Sequence, residues 1–283
     1  MNIKTSLILT VFNEEKSIDA FLNSLLKQTL LPNEVIIVDG GSTDNTSGKI
    51  QRILSENTNL NFKVIVDPSC NKKHSKGPIA KGRNVAIRKC THSHILVTDA
   101  GCILSPNWVL NMTSYFEQGY DVVAGVYHAQ TENNVQKKLA KVFIPNFYKY
   151  KNFKEFLPSS RSFGFTKVLW EKSGGYPENS YTAEDTKFVK NIYALTDNVV
   201  IAIDATVEWE VPSTYAELSY KCEQYGFGDA IQGIDKLKYT FRLLTLLVLP
   251  ISILVFYLIN KPIIGLYMYF YQVKGYARGL FSL

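Results

Sequence analysis

Asp39, Asp99 and the adjacent pair Glu184 and Asp185 are the residues of this sequence whose type and setting suit them for chemistry. Asp39 closes the apolar run of residues 35–38 and is followed by Gly40 and Gly41, while Asp99 follows a second run, 95–98, and precedes Ala100 and Gly101. Near the start, Thr10, Phe12, Asn13, Glu14 and Glu15 stand at the exit of a third run. An ionised carboxylate accepts hydrogen bonds, binds hard divalent cations and takes up protons, so such groups gathered in one place make a site for binding or group transfer.

Short apolar runs rich in β-branched side chains predict buried parallel strands, and glycines directly after them let the backbone turn sharply. Strands over 6–12, 35–39 and 94–99 would bring their polar ends to one sheet edge, where open α/β sheets bind ligands. The segments between them read as helices: one to Gln28, one from about Thr43, one to about Cys90 and one opening at 105–108. Ser42, Thr43 and Asp44 are read as turn and cap residues. Residues 156–165 read as a strand, 174–177 as a turn, and Glu184 and Asp185 as the opening of a helix through Tyr193. The alternation runs from about residue 5 to about 204, which predicts one large α/β unit with an appendage.

Taken together, these segments resemble a family 2 glycosyltransferase with the GT-A fold, a mixed α/β sheet flanked by helices. The resemblance implies an inverting transfer of a sugar from a nucleoside diphosphate sugar, of UDP type, to a lipid-linked or cell-surface glycan. Asp39 is then implied to accept from the uracil imide, with Thr10, Phe12, Asn13 and Glu14 lining the nucleoside pocket and Arg83 securing the nucleotide. Asp99, Ala100 and Gly101 stand at the Asp-X-Asp position, whose carboxylates hold Mg2+ or Mn2+ against the diphosphate. Here Gly101 replaces the second aspartate and leaves Asp99 as the motif's one metal ligand.

Glu184 and Asp185 match the family's Glu-Asp signature, which implies Asp185 as general base and Glu184 as its orienting partner or an acceptor contact. Residues 223–229 occupy the place of Gln-X-X-Arg-Trp in processive relatives and lack the Arg-Trp. That absence implies one sugar per encounter, with Tyr225 and Gly226 closing over the diphosphate. Two rival readings stay open: a polyprenyl-phosphate glycosyltransferase, whose phosphate acceptor needs less help from a base, and a catalytically silent nucleotide-binding membrane scaffold, for which Gly101 is the motive.

Composition sets outer limits. The 283 residues are 46% hydrophobic and 20% charged, which excludes disorder, and a net charge of +6 without a basic aromatic sheet or zinc-knuckle spacing predicts no nucleic-acid partner. Cys70, Cys90, Cys102 and Cys222 show no paired spacing and read as reduced thiols of a cytosolic compartment. His92 and His94 lack a third ligand and read as strand-edge residues, and Trp209 reads as a core residue or a sugar-stacking surface. No apolar leader precedes the first strand.

Residues 243–259 carry no charge. A helix over them rises about 25 Å, slightly short of the roughly 30 Å hydrocarbon core of a bilayer. Residues 263–273 are apolar and tyrosine-rich, which suits an interfacial helix or a return hairpin. Lys236, Lys238 and Arg242 precede these segments, while Lys261, Lys274 and Arg278 follow the first. The expected organisation is a GT-A catalytic domain over 1–235 and a membrane-associated helical tail over 236–283, at the cell membrane with the catalytic domain on the cytoplasmic side.

Overall fold

The protein is described by a computed structural model covering residues 3–57, 60–150, 152–247 and 263–282. The described residues fall into two compact units, one drawn from 1–129, 146–178 and 185–210, the other from 130–145, 179–184 and 211–283. The boundary expected at 235 lies inside the second of these.

The first unit is built on a mixed eight-stranded sheet of order β3-β2-β1-β4-β7-β6-β8-β5. Its strands are β1 (Thr5–Val11), β2 (Glu34–Asp39), β3 (Phe62–Val66), β4 (His94–Val97), β5 (Cys102–Leu104), β6 (Val122–Gln130), β7 (Phe163–Thr166) and β8 (Val199–Glu210). β3, β2, β1 and β4 pair in parallel, whereas β4 with β7, β7 with β6 and β5 with β8 pair antiparallel. Residues 7–9 of β1 and 35–38 of β2 are at most 1% exposed. That is why these strands are continuous apolar runs rather than alternating ones: both of their faces are covered.

Helices α1 (Ile18–Leu26), α2 (Thr46–Glu56), α3 (Pro78–Lys89), α4 (Trp108–Glu117) and α6 (Lys167–Ser173) belong to this unit, as does α7 (Glu184–Tyr193) from Asp185 onward. Gly82 seats α3 on the sheet, since a Cβ there would lie 2.8 Å from the Thr10 methyl. The strand expected over 156–165 is shorter, beginning only at Phe163. Pro158 lacks an N–H for a ladder, and the Ser162 amide instead closes a turn onto the Ser159 carbonyl at 3.2 Å.

The second unit is helical, with α5 (Asn134–Phe143), α8 (Tyr215–Ile231), α9 (Lys236–Leu247) and a C-terminal helix, Ile263–Leu280. A capping box between Asn133 and Gln136 starts α5, and Gln136 Nε2 also donates to the Val211 carbonyl at 3.2 Å. The segment 179–184 is tied to α8: Thr182 Oγ1 donates to the Gln224 carbonyl at 2.6 Å. Gln232, just past that helix, donates to Asn179 Oδ1 and Ser180 Oγ at 2.6 and 2.8 Å. The C-terminal helix lies so close to α8 that a Cβ on Gly226 would strike the Gln272 carbonyl and one on Gly275 the Glu223 carbonyl. Lys274 (2.9 Å) and Arg278 pair with Glu223 across the same crossing. Gly226 is thus a helix-crossing glycine, not the lid over a diphosphate that its sequence position implied.

No helix among the described residues is long and apolar enough to cross a membrane. Of the uncharged stretch 243–259, residues 248–259 lie outside the described residues, and the earlier ones end α9. The stretch 263–273 forms the first part of the 18-residue C-terminal helix, packed on α8.

Candidate functional site

The carboxyl ends of β1 and β2 carry two loops laced together. Asn13 takes a left-handed conformation (φ 56°), which asparagine tolerates better than most residues. Its amide donates to Ser42 Oγ at 2.9 Å, and its side-chain oxygen accepts from the Thr43 amide at 2.8 Å. The Glu14 amide donates to Thr46 Oγ1 (2.8 Å) and the Glu15 amide to Asp44 Oδ2 (3.1 Å). Ser42, Thr43 and Asp44 therefore build the turn, as expected, whereas the N-cap position falls to Asn45 and α2 opens at Thr46 rather than near Thr43.

Asp39, 1% exposed, organises the same loop. Its Oδ1 accepts from the Gly41 amide (3.0 Å) and from the amide and hydroxyl of Ser42 (both 2.8 Å), and its Oδ2 accepts from Ser47 Oγ (2.6 Å). The turn-building role is thus filled, and a carboxylate oxygen with one donor keeps a lone pair for another. Phe12 is 38% exposed beside Gly40, where an added Cβ would meet the Cys70 carbonyl at 2.6 Å. Burial raises the Glu14 carboxyl above its ordinary value; the Ser17 hydroxyl, donating at 2.6 Å, opposes this, and the charges of Asp99 and Asp44 add to it. Glu14 therefore lies within electrostatic reach of Asp99.

Past β4, Asp99 is held by α3: Arg83 Nη2 donates to its Oδ1 at 2.8 Å. Arg83, 3% exposed, also lies over the Tyr176 ring at 5.2 Å, and Tyr176 stacks on Phe188 of α7 at 3.9 Å. Next to it, Asn84 satisfies all of its side-chain groups. Its oxygen accepts from Trp170 Nε1 and the Tyr176 amide (2.9 Å each), and its nitrogen donates to the Tyr176 carbonyl and Glu178 (2.8 Å each). The turn through Gly174 and Gly175, both at positive φ, is thereby clamped to α3. One chain of contacts thus runs from Asp99 through Arg83 and Tyr176 to α7.

The motif after β4 offers a divalent cation one carboxylate, that of Asp99. Asp99 is 35% exposed, Ala100 is buried, and a Cβ at Gly101 would meet nothing within 4 Å. No group of three His, Cys, Asp or Glu among the described residues could hold a metal ion. A magnesium-like ion bound by one carboxylate, substrate phosphates and water fits this donor set, because such ions keep several waters and are seldom caged by protein alone.

On α7, Asp185 accepts through Oδ1 from the Thr186 amide at 2.7 Å and through Oδ2 from the Ser159 hydroxyl at 3.3 Å. Glu184 is 6% exposed and, with Ala183 at φ 66°, belongs to the segment grouped with the second unit. Ser159 and Arg161 were not singled out by sequence reasoning. Their only outward signal is an arginine inside the serine-rich run of residues 159–162. Trp209 is a core residue with its face already covered, being 8% exposed with the Arg161 guanidinium 3.9 Å above its ring. His94 packs on Phe116 at 4.7 Å, and burial lowers its pKa. The four cysteines are free and buried, and burial pushes Cys90 and Cys102 up to about 12.

A parallel half-sheet whose strand exits carry Asn13, Asp39 and Asp99, extended by antiparallel strands and a helix headed by acids, defines a GT-A-like architecture. The chain belongs to glycosyl transferase family 2, whose family model matches residues 6–172. It is similar to the poly(ribitol-phosphate) beta-N-acetylglucosaminyltransferase TarS of Staphylococcus aureus, with 26% identity over 205 residues, 71% of this chain and 34% of that protein. The chain thus spans about a third of the length of that relative. The crystal structure of S. aureus TarS 1-349 in complex with UDP-GlcNAc superposes with a TM-score of 0.61 at 22% identity, covering 81% of this chain and 66% of that one. The mannosyltransferase PcManGT of Pyrobaculum calidifontis, in complex with GDP-Man and Mn2+, superposes at 0.62 with 20% identity, over 81% and 64%. At these identities the structural likeness speaks for the fold.

Proposed function

We propose that this chain is an inverting glycosyltransferase that moves a sugar from a nucleoside diphosphate sugar, of UDP type, to a lipid-linked or cell-surface glycan. The observation that carries this reading is the connection of the nucleotide rim to a candidate base: Asp99, Arg83, Tyr176 and Phe188 form a continuous set of contacts ending on the helix that bears Asp185. Both Asp185 oxygens accept hydrogen bonds, which fixes the carboxylate while leaving lone pairs for an incoming hydroxyl. In the proposed reaction the acceptor hydroxyl oxygen attacks the anomeric carbon and its proton passes to Asp185. The bond from that carbon to the diphosphate breaks on the opposite face. Glu184 serves the acceptor side.

Asp39 and the residues Thr10, Phe12, Asn13 and Glu14 take the nucleoside in this reading, and Arg83 with Asp99, Ala100 and Gly101 takes the diphosphate. Asp99 is the residue that would hold Mg2+ or Mn2+, which when bound neutralises charge on the departing diphosphate. Residues 1–235 supply this chemistry, and 236–283 form a membrane-contacting tail, with the catalytic residues on the cytoplasmic face. Support for the tail's role comes from α9, where Leu237, Phe241 and Leu244 are 87%, 67% and 57% exposed. They recur at helical spacing beside Lys236 and Lys238, the arrangement of a helix lying in an anionic interface.

The test is a panel of nucleotide sugars offered to the full chain in detergent or vesicles, with release of nucleoside diphosphate as the readout. Consumption of a UDP-sugar supports the reading. Tight binding of UDP with no turnover of any donor would replace it by a silent nucleotide-binding role.

A further inference from the structure

We propose that Ser159 and Arg161 are positioning residues for Asp185, acting as a relay that holds its carboxylate at one angle to the acceptor hydroxyl; this rests on the reading of Asp185 as base. Arg161 Nη1 donates to Ser159 Oγ at 2.9 Å, and Ser159 Oγ lies 3.3 Å from Asp185 Oδ2. A guanidinium has no acceptor, so towards Arg161 the serine oxygen can only accept. Its single proton is then left for Asp185, and the hydroxyl rotor, free in most serines, is set by the cation beside it. The Thr186 amide fixes the other oxygen at 2.7 Å. With donors on both oxygens, the Thr186 hydroxyl standing 3.5 Å from the same oxygen as its amide, rotation of the carboxylate about its Cβ–Cγ bond would cost a hydrogen bond.

Arg161 is itself immobilised by the sheet. Its guanidinium stacks 3.9 Å above the Trp209 ring of β8 and 5.2 Å from the Tyr127 ring of β6, and those two rings meet edge to face at 6.1 Å. A planar, delocalised cation fits this slot, and a lysine ammonium has neither the plane nor the fork to stack and donate together. The relay thus carries the rigidity of two strands, through a loop without regular structure, to a side chain at the head of α7. A structural clip alone would need the Arg161 stack but would be indifferent to the Ser159 hydroxyl.

The experiment is steady-state turnover of the UDP-sugar that the full chain consumes fastest in a panel of UDP-sugars, with UDP affinity measured by calorimetry. Ser159→Ala is expected to lower kcat about tenfold with donor KM and UDP affinity unchanged, Ser159→Thr to recover most of it, and Arg161→Lys to match Ser159→Ala. The Ser159→Ala, Arg161→Lys double variant should fall no further than either single one, as expected for residues in series. Wild-type kcat in Ser159→Ala, additive losses in the double variant, or a loss in UDP affinity in place of kcat would overturn the relay. Asp185→Asn is the separate arm. Full activity there removes the base reading itself, whereas an inactive Asp185→Asn beside an unimpaired Ser159→Ala removes only the relay.

Discussion

At the scale of single residues, the end of the site beyond β4 turns on how Asp99 is shared. Replacing it by alanine would take the Asp99 carboxylate away from the Arg83 guanidinium, 3% exposed, and the structural cost at that buried arginine would confuse any kinetic result. Asn keeps an oxygen for Arg83 and removes only the negative charge. Asp99→Asn is therefore expected to bind UDP-sugar more weakly and to lose on the order of 10²-fold in kcat, with no recovery in excess manganese. Wild-type activity that survives EDTA would show that no divalent ion is needed. Asp39 and Asp99 were legible in the sequence because a buried parallel strand is a contiguous apolar run and its polar exit is unmistakable. Ser159 and Arg161 were not, because what gives them meaning is the aromatic slot of Tyr127 and Trp209, brought to them by other strands.

The crossing of α8 with the C-terminal helix depends on Gly226 and Gly275, whose missing side chains let backbone meet backbone. Gly275→Ala should force the helices apart and destabilise the second unit by about 1–3 kcal/mol, seen as faster amide exchange in residues 215–231 with the strands of the first unit unaffected. Unchanged exchange would mean the crossing has slack. In the same unit Asp229 accepts from Tyr239 Oη at 2.6 Å, and burial raises its carboxyl to about 6; Tyr239 and Lys238 oppose the shift, Asp235 adds to it and Arg242 opposes it.

The folded carboxyl holds its proton to higher pH than the unfolded one, so the folded state binds more protons between the ordinary value of 3.8 and about 6. Stability from this group is full below that window and is lost as pH rises through it. Asp229→Asn should accordingly gain about 1–2 kcal/mol over wild type above pH 7 and nothing at pH 4, read from thermal melts at the two pH values. A gain of equal size at both would assign the effect to packing. A helical tail over 236–283 was readable from its apolar stretches, but α5 and α8 were not read from the sequence, and apolarity does not tell which face of α9 is turned outward. Inward-facing Tyr239, 2% exposed, and outward-facing Phe241 are both aromatic, and only the packing separates them.

For the molecule as a whole, two claims stand together: a transfer site on a GT-A-like sheet and a tail that meets a bilayer. The second predicts that Leu237→Glu with Phe241→Glu weakens flotation with vesicles containing anionic phospholipid, while leaving release of nucleoside diphosphate from the donor in detergent unchanged. Equal flotation of the double variant would move the membrane contact off α9. The first claim is central, and turnover of Asp185→Asn tests it most directly. The amide fills the same space and still accepts from the Thr186 amide, yet it cannot take a proton at neutral pH. Side by side with wild type on the preferred nucleotide sugar, Asp185→Asn should keep UDP affinity within about twofold and lose about 10²- to 10⁴-fold in kcat. An Asp185→Asn protein that turns over at the wild-type rate would contradict that claim.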